Sequence, residues 1–274
     1  MRKRPYYSAR TGKSPYSGKL DLLLLRRLFG DIYGRFSEKE YFEEAFGYYR
    51  LGTQGAAGKL GRDIEAHILR ATGKPDLWPI EERHKSYSED DLFDVIEFLY
   101  DCVSERDRRS PLTSYSTYRG RQAFRDEINS LLCDYGDGYE LSEDGEILSL
   151  GAKEMRPLLE QELSEYDPEN VDSRVEAAVR KFRHHTASAE DKREAVRQLA
   201  DVFEFLRPKL KRVLPSKDEG DLFNIANNFA IRHHNPAQKT QYDEGIWLDW
   251  IFYCYLNTIH VSVNLLKRAE ESSQ

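Results

Sequence analysis

Apolar residues recur at three- and four-residue steps through most of this chain, and only once does the pattern change to strict alternation. That combination commits the chain to packed amphipathic helices with a single β-hairpin. Leu22, Leu25, Phe29 and Ile32 mark the first helical stripe. Ser37-Glu38-Lys39-Glu40 and Ser88-Glu89-Asp90-Asp91 have the form of capping boxes, each predicted to open a helix, the second carrying Leu92, Val95, Ile96 and Leu99. The alternating segment runs from Gly138 to Leu148 around Asp144-Gly145, the dipeptide that a tight hairpin turn favours. Beyond it the helical period returns over 152–166 and 171–185. It continues from the capping box at Ser188 through Val196, Leu199 and Phe203 toward Pro208, then over 224–233 and 246–267. Long helices with short connections predict a predominantly α fold. The expected organisation is a basic arm at 1–19, a helical domain at 20–134, a hairpin connector at 135–151 and a helical bundle at 152–274.

The 274 residues are 39% hydrophobic, enough for a real core, but 32% are charged and the formal net charge is −7. A field attracting nucleic acid over the whole surface is therefore excluded, and any such contact has to be local. Cys102, Cys133 and Cys254 are far apart, without paired metal-ligand spacing, so neither a zinc site nor a disulfide framework is expected and a reducing cytoplasm is the expected compartment. The basic start runs into polar residues rather than an apolar stretch, which argues against a signal peptide. The most apolar segment, 246–266, carries Asp249, Asn257, His260 and Asn264, so it reads as a buried bundle helix and not a membrane span. The Gly-rich run from Gly52 to Gly61 lacks the Lys-Ser/Thr ending of a phosphate-binding loop. No cofactor is implied.

Two regions stand out chemically. Arg106, Arg108, Arg109, Arg119 and Arg121 interleave with Tyr115 and Tyr118, a mixture able to grip a nucleic-acid backbone and stack on bases, or simply a solvated face paired with nearby acids. The second region is Asn227 to Pro236. At helical spacing Asn224, Asn228 and Arg232 share one face, and His233, His234 and Asn235 follow before Pro236 stops the helix. Cleavage of RNA without a metal needs a base, a cation for the phosphate and groups that position the strand. His234 and His233 with Arg232 supply the first two, while Asn228, Asn235, Lys239 and Tyr242 stand near enough in sequence to bind substrate. Tyr253, Asn257, His260 and Asn264 form a further polar line in the last helix, predicted to face the first stripe, with His260 and Asn257 as further substrate-binding candidates, or to serve as a buried network fixing helix register. A second Arg-His-His, at Arg183-His184-His185, has no amide stripe beside it and reads as a solvated helix end.

The order of a helical half, a Gly138-Tyr139-x-Leu141…Asp144-Gly145-x-Ile147 hairpin and a helical half with Ile231-Arg232-His233 resembles bacterial abortive-infection proteins. These have a helical N-terminal domain of the J type and a C-terminal bundle similar to the HEPN superfamily. The resemblance covers roughly residues 20–268 in architecture. It implies a phage-defence or toxin-type role, with a metal-independent endoribonuclease as one form, and RNA or a nucleotide, a second copy of the chain, or a neighbouring effector or antitoxin as partners. The family signature places a histidine four to six residues beyond the arginine. Here Arg232 matches and His233 fills the polar position, but Asn235 to Lys239 hold no histidine, so His234 or His260 would have to substitute. A non-catalytic sensor or adaptor, using the same seam and the Arg106 to Arg121 region to bind a nucleotide, nucleic acid or partner protein, is the other reading.

Overall fold

The computed structural model describes residues 7–11, 19–48, 55–107, 114–151, 159, 165–213 and 244–272. The chain is mostly helical and divides into two compact units, Met1–Ser149 and Leu150–Gln274. After a four-residue turn of helix α1 (Tyr7–Arg10), the first unit is built on α2 (Leu22–Glu38), α3 (Glu43–Phe46), α4 (Ile64–Thr72), α5 (Ile80–Arg83), α6 (Glu89–Cys102) and α7 (Thr117–Leu132). Asp21 caps α2 by accepting from the Leu24 amide at 2.8 Å. Leu25, Phe29, Ile32, Tyr33 and Phe36 form its buried stripe. The helix itself continues past Ser37, so the capping box expected there does not open a helix. Ser37 and Glu38 form the last turn of α2, because Phe36 must stay on the helix to meet Phe42 and Phe124. The helix closes with Glu40 N–H donating to Ser37 O and Tyr41 N–H to Phe36 O, which leaves Glu40 left-handed at φ 68°.

The box at Ser88 forms as the sequence predicts: Ser88 Oγ accepts from the Asp91 amide at 3.1 Å, and Asp91 accepts from the Ser88 amide at 2.9 Å. Helix α6 buries Leu92, Phe93, Val95, Ile96 and Leu99 in the same core as α2 and α7. The predicted hairpin is also present. Among the described residues three antiparallel pairs form, β1 (Gly47–Tyr48) with β2 (Ala56–Ala57), β3 (Glu105–Arg106) with β4 (Tyr115–Ser116), and β5 (Tyr139–Leu141) with β6 (Ile147–Ser149); the first two are too short for an alternation signal. Gly145 turns the hairpin at φ 90°, where a side chain would collide with the Tyr100 ring 2.5 Å away. Asn129 of α7 holds β5 at both ends of the Leu141 peptide group, donating to its carbonyl at 3.1 Å and accepting from its amide at 2.6 Å.

In the second unit Asp167 caps a π-type turn, Pro168–Asp172, that leads into α8 (Ser173–Arg183). Next comes α9 (Ala189–Leu210), opened by the expected box of Ser188 and Asp191, and then α10 (Glu244–Glu271). Helix α9 runs through Pro208 to Leu210; a proline in the final turn removes one late hydrogen bond, and burial of Leu206 and Leu210 holds the turn in place. The three helices close on a core in which Phe182 and Phe252 stack at 3.8 Å and 9°. The helix predicted over 152–166 lies almost wholly outside the described residues. No helix among the described residues is long and apolar enough to cross a membrane.

Candidate functional site

Asn228, Arg232, His233, His234, Asn235, Lys239 and Tyr242 lie outside the described residues. The polar line of α10 is described, and it splits. Tyr253 and His260 are buried, whereas Asn257 and Asn264 are exposed, so the four do not form one seam. At about 100° per residue, His260 sits within about 20° of Tyr253, while Asn257 and Asn264 lie about 20–40° round the other way, past the edge of the buried arc. Burial holds the His260 imidazole below its usual pKa, which favours the neutral ring. The second Arg-His-His is the expected helix end: α8 stops at Arg183, His184 is exposed, and its Nδ1 lies 2.9 Å from the Thr186 hydroxyl.

The basic region resolves toward its plainer reading. Arg106 is held by Glu40 and Glu43 at 3.3 and 3.4 Å, Arg119 by Glu105 at 2.8 Å, and Arg121 by Asp101 at 3.2 Å. Arg121 also covers the Tyr100 ring at 4.6 Å. Tyr115 donates its hydroxyl to Glu43 at 3.1 Å, and only Tyr118 stands well out from the surface. Arg108 and Arg109 lie outside the described residues. The described guanidinium groups are thus committed to carboxylates, which competes directly with phosphate for the same donors.

Two of those carboxylates, Glu40 and Glu43, line a pocket that sequence reading did not find. A cavity of about 340 Å³ opens between the C-terminal turn of α2, the loop after it, α3, β1 and α5. Its aromatic wall is Tyr33, Phe42, Phe46 and Tyr48; Phe42 stacks on Tyr33 at 5.6 Å and on Phe46 at 5.5 Å. Its polar wall is Glu40, Glu43 and Glu81, with Ser37 and Gly47. The Glu43 side chain is only 6% exposed and is held by Arg106 and Tyr115. Burial first, and the nearby Glu81 carboxylate second, keep the Tyr33 hydroxyl protonated far above the ordinary tyrosine range. Each lining residue looked like an ordinary core or helix-end position in sequence. They meet because α2 ends in the left-handed Glu40, which swings Phe42 and Glu43 back beneath Tyr33. A glutamate paying the steric cost of a left-handed backbone is a legible signal only once the turn is seen.

Among the described residues no group of three or more His, Cys, Asp or Glu side chains is arranged to hold a metal ion. No family model matches the chain, and no curated protein or solved structure matches it significantly.

Proposed function

We propose that this chain is a binding protein, a sensor or adaptor of the bacterial defence type that its architecture resembles, with the ligand received by the first unit and the second unit acting as a HEPN-like helical bundle. The observation that carries this reading is the preformed pocket of about 340 Å³ in the first unit, a size in the range of small-molecule sites, with an apolar wall opposite a few placed polar groups. The commitment of Arg106, Arg119 and Arg121 to carboxylates supports it over nucleic-acid capture by that face. Ribonuclease chemistry through Arg232 and His234 is the second reading, favoured by the residues of the 227–236 run alone.

The two are separated by expressing wild type and the Arg232→Ala/His234→Ala variant in bacteria at matched levels. The sensor reading expects total RNA to stay intact and growth to be alike in both. RNA fragmentation with growth arrest in the wild type alone would replace it with the ribonuclease reading.

A further inference from the structure

We infer that the pocket of the first unit takes a cationic head group, a primary ammonium or a guanidinium, carried either by a free amine of the polyamine kind or by a Lys or Arg side chain of a partner. This deepens the sensor reading and rests on it. Three features point to that chemistry.

The first is charge. Glu40, Glu43 and Glu81 converge on one cavity, and Arg106 is the guanidinium bridged to Glu40 and Glu43. Glu81, across the cavity on α5, has no ion pair among the described residues and lies near enough to Tyr33 for its charge to raise that hydroxyl's pKa. One carboxylate on the open side of the pocket is therefore left for a cation from outside. The second feature is the wall itself. Aromatic rings opposite carboxylates attract a cation through their negative faces, and the attraction grows as water is excluded. Tyr48, 42% exposed, stands at the rim and carries this contribution, while Tyr33 and Phe42 are buried behind it and stacked on one another. The third is the precedent inside the fold. Arg106 reaches the same acid pair at 3.3 and 3.4 Å, so the geometry on one flank already suits a planar guanidinium. An anionic ligand such as a nucleotide meets the opposite situation, with its phosphates set against three carboxylates of which Arg106 already bridges two.

The test is calorimetric titration and thermal shift of the full chain with spermidine and agmatine, with Nα-acetylarginine amide as the side-chain probe, and with glutarate and AMP as anionic controls. The cations are expected to bind and raise Tm, and the anions to leave it unchanged. Glu81→Gln removes an exposed charge without changing side-chain shape, and is expected to weaken cation binding about tenfold or more. Tyr48→Leu is expected to weaken it several-fold, while Asp137→Asn, on a residue that does not line the cavity, leaves it unchanged. Tight binding of acetylarginine amide identifies a partner's side chain as the source; binding of the free amines alone identifies a small molecule. Cation binding that is equal in wild type, Glu81→Gln and Tyr48→Leu, or no cation binding at all, overturns the assignment. A Tm rise with AMP that survives the pocket variants also overturns it while leaving the sensor reading intact, and RNA cleavage in the expression experiment removes the sensor reading itself.

Discussion

Cys102 and Cys133 show how far position decides the chemistry of one residue type. Cys102 ends α6 inside the core, where burial first and the neighbouring Asp101 second push its thiol up to about 12, so almost no thiolate forms near neutral pH. Cys133 caps the end of α7 at the surface. At pH 8 iodoacetamide is expected to modify Cys133 in the native protein and to reach Cys102 only after unfolding, as read by mass spectrometry of native and urea-treated samples. Equal labelling of both in the native state would contradict the burial of Cys102. The arginines make the same point about context. Their positions in sequence announce a basic region, but whether each guanidinium meets a phosphate or a carboxylate depends on where Glu40, Glu43, Asp101 and Glu105 arrive, and two of those are more than sixty positions away from Arg106.

Helix starts are local events, and the sequence marks them well where a side chain closes on an amide three residues away. Asp21, Ser88 and Ser188 each accept from such an amide. Asp21→Ala and Ser88→Ala are each expected to lower unfolding stability by about 1 kcal/mol, measured by urea denaturation, with the slope against denaturant unchanged. A change below a few tenths of a kcal/mol at both positions would show that the caps are dispensable. Ser37-Glu38-Lys39-Glu40 has the same form yet stands at a helix end, because the apolar stripe of α2 has five residues committed to the core before it and the chain reverses at Glu40. Such a box identifies a boundary; which side of it the helix occupies is set by the apolar residues it must bury. The polar line of α10 fails for a related reason, since a spacing of four, three and four residues spreads over an arc wide enough to straddle the edge between buried and exposed.

At the scale of the whole molecule the described residues form two cores, one in each unit, and none of them belongs to both. In the second, His260 is buried in α10 with its pKa lowered by desolvation. A base whose folded pKa is depressed binds fewer protons folded than unfolded, so stability rises with pH between the folded value and the ordinary histidine value of about 6.5. Acidification through that window is expected to lower the Tm of wild type more than that of His260→Phe; identical pH profiles would show that His260 does not drive the change.

The sequence by itself determined the helical class, the one confident hairpin, two of the three capping boxes it offered and the apolar faces that become the cores, because these depend on periods of two or 3.6 residues and on contacts within one turn. Only the tertiary structure decided which acids hold Arg106, that Asn257 faces outward while His260 is buried, and that Tyr33, Glu43, Tyr48 and Glu81 surround one cavity. Those are meetings between residues far apart in the chain, set by how a left-handed turn and packed aromatic rings redirect it, and no short-range pattern encodes them.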